Sequence, residues 1–259
     1  MAVYITGDTH GETGIARLAP ANFDATGMTR EDYVVILGDF GFPSVAGEGG
    51  RDRRWLDWLN DRPWKTLFVD GNHENFAALA AYPTEDWHGG SVRRLRDNVM
   101  HLRRGEVFDI GGHAFFAMGG AHSIDRASRA EGASWWPEEV PEGAERALAE
   151  AKVAEVGEVD YVLTHCPPAS ELLDLAVGVG LGADADEYSE WLQEAVADRL
   201  VFKNWFYGHM HVDRWWRRPY TALYDVIYDL DETGRTPFSP SAAKNGSLWD
   251  SLDGLLGGR

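Results

Sequence analysis

The sequence is poor in cysteine and has no long apolar run. Cys166 is the single cysteine, so no disulfide can form within one chain, and a reducing compartment is expected. No stretch approaches the ~18 consecutive apolar residues that a membrane helix needs. The first residues also lack the basic and apolar segments of a signal peptide. We therefore expect a cytoplasmic protein with no membrane partner.

Positive charge is also scarce. The chain has 24 Lys and Arg against 42 Asp and Glu, which gives a formal net charge of −18. A chain this acidic repels polyanions, which argues against duplex nucleic acid as a partner. A small phosphorylated substrate stays compatible with this charge, because bound cations can reverse the local field.

Short apolar runs alternate with helical patterns along the chain. The runs cover residues 2–5, 33–37, 66–69, 114–118, 161–163 and 202–207, and the helical patterns cover 51–60, 145–156 and 187–200. Runs of this length that are rich in β-branched and aromatic residues indicate buried strands, so the alternation predicts an α/β protein.

The length favours one large domain, which we place at residues 1–230. Within it, residues 82–139 contain shorter strand-like pieces and are interpreted as either a strand-rich insertion or part of a second sheet. The last residues, 231–259, are rich in Gly, Ser, Pro and Asp, and we expect a loosely ordered tail.

Five of the apolar runs end in unusual polar residues. The segments are GDTHG at 7–11, GDFG at 38–41, GNHE at 71–74, TH at 164–165 and GHMH at 208–211. Strand ends are where α/β proteins build their sites. Singly, an Asp after a strand is more often a helix cap and a histidine more often structural. Five such segments in one chain are hard to explain by capping alone.

This ordered set of segments resembles the calcineurin-like metallophosphoesterases, over residues 8–211. The resemblance implies a four-layer α-β-β-α sandwich, in which two facing mixed β-sheets are flanked by helices. It also implies a metal-dependent hydrolase that cleaves phosphate esters by attack of a hydroxide bridging two metal ions.

The resemblance also implies a ligand for each metal position. Asp8, His10 and His211 would hold the first metal ion; Asn72, His165 and His209 the second; Asp39 would bridge both. His73 would stand beside them as a catalytic general acid. These oxygen and nitrogen donors suit two divalent ions, with Mn²⁺ favoured and Fe, Zn²⁺, Co²⁺ or Ni²⁺ as alternatives.

The second and third segments depart from the Ser/Thr protein phosphatases, which the GDTHG and GNHE segments otherwise resemble. Gly41-Phe42-Pro43 replaces their Asp-Arg-Gly block, and Asp70 stands where they carry an arginine. These departures favour small phosphomonoesters or nucleotide-type phosphodiesters as substrates. A Ser/Thr-type protein phosphatase, a single-strand nuclease and a non-catalytic metal-binding scaffold remain as alternatives.

Further residues are candidates for contacts around the metal ions. Asp70 is interpreted either as the group that orients His73 or as a turn former. In the segment 119–138, His122 and Arg126 (or Arg129) are candidate substrate-binding residues, with a loop held by tryptophan packing as the alternative. For Arg51, Arg53 and Arg54, at the start of a predicted helix, a solvated helix face is favoured over a phosphate contact. The sequence leaves the oligomeric state open.

Overall fold

The computed structural model describes residues 1–179, 185–215 and 219–231. The strands are β1 (Val3–Thr6), β2 (Tyr33–Leu37), β3 (Lys65–Val69), β4 (Thr84–Trp87), β5 (Gly90–Arg96), β6 (Val99–Leu102), β7 (Glu106–Ile110), β8 (His113–Met118), β9 (Tyr161–Thr164), β10 (Asn204–Tyr207), β11 (Tyr220–Ala222) and β12 (Ile227–Asp229). Apart from residue 231, the predicted C-terminal tail lies outside the described residues.

The helices lie between these strands. They are α1 (Glu12–Ile15), α2 (Gly50–Asn60), α3 (Phe76–Ala80), α4 (Ala144–Val156), α5 (Ala169–Val179) and α6 (Glu187–Leu192). A π-helical turn, Gln193–Ala197, continues α6, so the helix expected over 187–200 is regular only in its first part. None of the helices in the described ranges has the length and apolar character that a bilayer crossing requires.

The strands form two mixed sheets. The seven-stranded sheet has the order β12-β1-β2-β3-β6-β5-β4, and the five-stranded sheet has the order β11-β10-β9-β8-β7. Strands β1, β2, β3 and β6 run parallel in the first sheet. Strands β8, β9, β10 and β11 run parallel in the second. The antiparallel strands lie toward the edges, so the carboxyl ends of the central strands share one end of each sheet.

Alternation along β2 shows how the layers stack. Tyr33, Val35 and Leu37 belong to the apolar cluster shared with strands of the other sheet, including Phe115 and Phe206. The intervening Val34 and Ile36 belong to a second cluster with side chains of α2. Successive strand residues point to opposite faces, so β2 is buried on both.

The second sheet is covered in the same way. Its outer face carries Phe116, Val162 and Trp205, which cluster with Ala149 and Val153 of α4. Helix, sheet, sheet and helix therefore follow one another, and the predicted four-layer sandwich is confirmed. Strands β4, β5 and β6 extend the first sheet and β7 and β8 extend the second, so the segment between 82 and 139 contributes to both sheets.

Candidate metal centre

The polar segments meet at the carboxyl ends of the two sheets. His165, which follows β9, places its Nδ1 2.7 Å from the carbonyl oxygen of Leu37 at the end of β2. The amide of His209, which follows β10, donates to Asp8 Oδ1 at 2.9 Å. These contacts join the two sheets at the point where the strands end, and they bring distant segments of the chain together.

The backbone at this end of the molecule is strained at several candidate ligands. His10, Asp39, His209 and His211 all have positive φ angles between 47° and 62°. A positive φ is uncommon for residues other than glycine and persists where the surrounding structure enforces it. Such strain at four candidate ligands points to a functional site at these loops.

Glycines let the loops approach the two carboxylates closely. A Cβ atom on Gly71 would lie 2.1 Å from Asp39 Oδ1, and one on Gly208 would lie 2.2 Å from Asp8 Oδ1. Any side chain at these two positions would therefore displace a candidate ligand. This requirement explains glycine before Asn72 and before His209.

Asp8, His10 and His211 form the first cluster of donor atoms. Their ligating atoms all lie within 4.8 Å of one another. His211 Nε2 is 3.1 Å from Asp8 Oδ2 and 3.1 Å from His10 Nε2. Asp8 Oδ2 is buried and accepts no well-formed hydrogen bond from the described residues. A buried carboxylate oxygen facing two imidazole nitrogens is an arrangement that a metal ion would satisfy.

The second cluster centres on His165. His165 Nε2 lies 3.0 Å from Asn72 Oδ1 and 3.5 Å from Asp39 Oδ1. Burial opposes a charge on the His165 ring, but Asp39 and Asp8 raise its pKa when no metal ion is bound. Because Leu37 O can only accept, His165 Nδ1 carries a proton, and in the neutral ring that binds a metal ion Nε2 carries a lone pair. Nε2 and Asn72 Oδ1 then face each other as two acceptors. Only a cation, as a metal ion or a further proton, makes this contact favourable.

Asp39 and His209 complete the arrangement. Asp39 Oδ2 is 3.7 Å from His10 Nδ1, whereas its Oδ1 faces His165, so this carboxylate contacts both clusters. The rings of His165 and His209 have centroids 5.0 Å apart. The structure therefore brings all seven candidate ligands into one site.

The charges of the site suit metal binding. Burial alone would raise the pKa of Asp8, but attraction to His165 and the approach of His211 lower it to about 2. Burial, and after it the nearby His165, lowers the pKa of His209 to about 4. Asp8 is thus an anion and His209 a neutral base at neutral pH, which are the forms that bind a cation.

The site opens to solvent on one side. Asp8, Asp39 and His165 are buried, whereas the His10, His73 and His211 side chains keep between 29% and 48% of their surface exposed. A cavity of about 300 Å³ is lined by His10, Asp39, His73 and Arg51. A substrate would therefore reach the clusters from the side of His10 and His73.

His73 stands beside the clusters. Its amide donates to Asp39 Oδ1 at 2.8 Å, and its Nε2 lies 3.9 Å from Asp39 Oδ2. Its Nε2 is also 3.3 Å from Asn72 Nδ2. His73 enters neither group of donor atoms that could hold a metal ion among the described residues. It faces the cavity, as a group that acts on substrate would.

Asp70 does not orient His73, which corrects one interpretation of the sequence. Its Oδ1 lies 2.8 Å from His101 Nε2, and its Oδ2 accepts from Arg104 Nε at 2.8 Å. Within the described parts of the chain, no hydrogen bond joins the carboxylate of Asp70 to His73. Asp70 instead neutralises the buried guanidinium of Arg104, because an unpaired charge at that depth would be costly.

The candidate substrate-binding residues of the segment 119–138 lie at different distances from the site. The guanidinium of Arg126 lies over the ring of Trp135, 4.3 Å from its centroid. His122 is half-buried, and within the described residues neither His122 nor Arg126 bonds to a candidate ligand. Arg129 pairs with Asp125, with 2.7 Å between its Nε and Asp125 Oδ1, and this hydrogen bond raises the pKa of Arg129.

Sequence reasoning missed the residues that hold the candidate ligands. Asn72 Nδ2 donates to Ser123 Oγ at 3.0 Å, and Ser123 Oγ donates to Glu139 Oε2 at 2.6 Å. Glu74 is buried and accepts from the Phe40 amide at 2.7 Å, which holds the loop that carries Asp39. The Glu of GNHE was visible in the sequence, whereas nothing there linked Ser123 and Glu139 to Asn72.

Arg17 and Tyr224 hold the first cluster from behind. Arg17 is buried and donates to the carbonyl oxygen of Asp8 at 2.8 Å. The ring of Tyr224 stacks on that of His211, with centroids 4.5 Å apart. Neither residue belongs to a polar segment, so the sequence offered no signal for them.

The kinds of donor atoms in the two clusters also fit a metal site. The clusters offer carboxylate and amide oxygens and imidazole nitrogens. The thiol of Cys166 is buried and directed to the carbonyl oxygen of Pro167, so it adds no thiolate. Such a set suits divalent ions of intermediate hardness. The residues present therefore fit a pair of divalent metal ions.

Comparison with known proteins identifies the family. The family model described as calcineurin-like phosphoesterase matches residues 1–213 of the 259. No curated protein matches the chain. The chain belongs to the calcineurin-like phosphoesterase family, whose members depend on a dinuclear metal centre and hydrolyse phosphoesters in general.

Proposed function

We propose that this calcineurin-like phosphoesterase hydrolyses small phosphomonoesters or nucleotide-type phosphodiesters, with two divalent metal ions as cofactor. The observation that carries the proposal is the convergence of seven donor side chains at the carboxyl ends of both sheets, beside an open cavity of about 300 Å³. A cavity of this size suits a small ligand.

In this proposal, the first metal ion is held by Asp8, His10 and His211 and the second by Asn72, His165 and His209, with Asp39 shared. The short contacts within each cluster support this division. Asp39 suits the shared position because its two carboxylate oxygens face different clusters. Mn²⁺ is our first choice of ion, and the donor set also admits Fe, Zn²⁺, Co²⁺ and Ni²⁺.

When bound, the two ions supply a water made nucleophilic near neutral pH and positive charge for the phosphate oxygens. The chain supplies the remaining functions. His73 lies at the wall of the cavity and is our candidate for protonating the leaving oxygen. The 2.8 Å bond from its amide to Asp39 fixes His73 relative to the clusters.

Arg51 supports a phosphorylated substrate of small size. It lines the same cavity as His10 and His73, and its polar contacts with described residues are a 3.7 Å approach to Glu12 and a 3.4 Å bond to Ser44. Its guanidinium is therefore free to turn toward an anionic group. The solvated position favoured from sequence still places Arg51 at the rim of the site.

The charge and the cysteine content support the remaining parts of the proposal. The net charge of −18 disfavours long polyanionic substrates, and the single buried cysteine is compatible with a reducing, cytoplasmic location. Experiment distinguishes the proposed function from the alternatives of a protein phosphatase, a nuclease and a scaffold.

The test is hydrolysis of a chromogenic phosphomonoester and a chromogenic phosphodiester by metal-stripped protein to which Mn²⁺ is restored. Activity should return with the metal and disappear in Asp39→Asn. Asp109→Asn, which removes the same charge at an exposed position of β7, is the matched control and should stay active. Metal binding without hydrolysis of either ester, a phosphopeptide or a short oligonucleotide would favour the scaffold.

A further inference from the structure

A second cavity, of about 550 Å³, lies apart from the candidate metal centre. It is bounded by α3, by the ends of strands β5 and β6, and by the segment 137–145. None of the seven candidate ligands lines it, and neither does His73. Asp70 lines it together with its hydrogen-bond partners His101 and Arg104.

Three basic side chains share one wall of this cavity. Arg93 of β5 is the cross-strand partner of His101 of β6, and Arg103 follows two residues after His101. Cross-strand partners, and residues two apart in a strand, point to the same face of a sheet. The sheet pairing therefore gathers the guanidinium groups of Arg93 and Arg103 beside the His101 ring, and all three side chains line the cavity.

Arg93 and Arg103 lack acidic partners. Arg93 has one long hydrogen bond, 3.4 Å to the carbonyl oxygen of Ala80, and Arg103 has one of 3.3 Å to Ser91 Oγ. Within residues 1–179, 185–215 and 219–231, no carboxylate forms an ion pair with either guanidinium. Burial, and after it the positive charge of Arg103, lowers the pKa of Arg93, against a weaker opposing effect of Asp70 and Glu145.

The carboxylates that line the cavity either pair with Arg104 or are exposed to solvent. Asp70 and Glu145 both pair with Arg104, whose Nη1 lies 2.8 Å from Glu145 Oε2. Glu138 and Glu142 are exposed, so water and salt screen their charges.

Apolar side chains also line the cavity. They are Phe76 and Leu79 of α3 and, from the segment 137–145, Pro137 and Val140. Binding sites for small molecules are typically apolar cavities of about 300–1,000 Å³ with a few polar groups that converge on one point. The cavity has this composition, and Arg93 and Arg103 are the polar groups that converge.

We propose that this cavity is a second ligand site, which binds a small organic anion with an oxyanion group on Arg93 and Arg103 and an apolar body against Phe76, Leu79 and Val140. The planar guanidinium groups match a carboxylate or a tetrahedral oxyanion equally. The proposal is independent of the metal centre, because none of the candidate metal-binding residues lines this cavity.

The test is calorimetric titration of the metal-loaded full chain with benzoate and with benzenesulfonate, which carry a planar and a tetrahedral oxyanion. At least one should bind saturably, one per chain, and the tighter probe identifies the preferred oxyanion. Arg93→Gln and Arg103→Gln should each weaken binding at least about tenfold, as expected for a lost charged hydrogen bond. Arg94→Gln is the matched control, because Arg94 lies on the same strand and pairs with Glu85 outside the cavity.

A second variant keeps the charges and removes the space. Ala77 is an exposed residue of α3 on the cavity wall, so Ala77→Trp should block binding while the fold and the metal content stay unchanged. The proposal is overturned if neither anion binds saturably at millimolar concentration. It is also overturned if Arg94→Gln weakens binding as much as Arg93→Gln, or if Ala77→Trp leaves binding intact.

Discussion

The side-chain amide of Asn72 donates a 3.0 Å hydrogen bond to Ser123 Oγ, 51 residues further along the chain. Ser123 Oγ in turn donates to Glu139, so its oxygen is free to accept from Asn72. This order of donors turns Asn72 Oδ1 toward His165 Nε2, at 3.0 Å. The orientation of Asn72 is therefore decided by Ser123 and the buried Glu139, neither of which is itself a candidate metal ligand.

Ser123→Ala should weaken metal binding at the second position. Without the serine oxygen, the Asn72 amide loses the partner that fixes which end faces His165. Loss of such a supporting hydrogen bond typically costs about 10–100-fold in metal affinity or activity. Titration of the metal-free protein with Mn²⁺ measures the effect. Ser128→Ala, at an exposed position, should leave the affinity unchanged; equal effects from the two substitutions would contradict this account.

His73→Ala should lower turnover by about 10²–10⁴-fold while two metal ions remain bound. If His73 protonates the leaving oxygen, the loss should be small for an ester of an acidic phenol and large for an ester of an alkyl alcohol. Metal analysis and the two rates together check the assignment. A variant that loses its metal ions would show that His73 is a ligand.

Arg51→Ala should raise KM for phosphomonoesters by roughly five- to tenfold and change KM for phosphodiesters less, because a monoester carries the extra negative charge. Arg54→Ala is the matched control, since Arg54 is exposed on the same helix and does not line the cavity. Steady-state kinetics on both esters gives the ratio of KM for the monoester to KM for the diester. A ratio that is the same in wild type and Arg51→Ala would leave Arg51 without a role in selection.

Arg104→Met should lower the free energy of unfolding by about 3–5 kcal/mol, because the buried carboxylate of Asp70 would lose its main cationic partner. Arg94→Met, which breaks a surface pair with Glu85, should cost no more than about 1 kcal/mol. Urea unfolding of the metal-free proteins compares the two. Similar losses would mean that the buried pair contributes little.

Removal of the metal ions should lower the thermal midpoint of wild type more than that of Asp39→Asn. A ligand that binds only the folded state at 100 times its Kd adds about 2.7 kcal/mol to the free energy of unfolding. The variant lacks the shared carboxylate and should gain less from Mn²⁺. Thermal scans with and without Mn²⁺ test this, and equal gains would place Asp39 outside the metal centre.

Prediction from sequence succeeded where a local pattern has one structural solution. The run 33–37 is apolar throughout and forms β2, a strand buried on both faces. Strands β4 to β7 lie within residues 82–139, where strand-like pieces were expected without defined bounds. Strands β11 and β12 were not predicted, because each has only three residues. The helix expected over 187–200 gives way to a π-helical turn, which periodicity alone does not distinguish from a regular helix.

The candidate site was likewise predicted from the sequence only in part. Glycine next to Asp, Asn and His at strand ends marked the polar segments, and the family resemblance then named Asp8, Asp39 and Asn72 as ligands. Parallel strands bring those ends together. Asp70 was misassigned because sequence adjacency to His73 says nothing about where a carboxylate points. Its partners, His101 and Arg104, approach from another strand and its loop.

The sequence by itself determined the α/β class, the family and the set of residues that converge, because strand patterns and residue types are local properties. Only the tertiary structure decided which groups hold them: Ser123 and Glu139 behind Asn72, Arg17 behind Asp8, and Arg104 on Asp70. These contacts depend on how two sheets face each other, and side chains that meet across that packing leave no periodic trace along the chain.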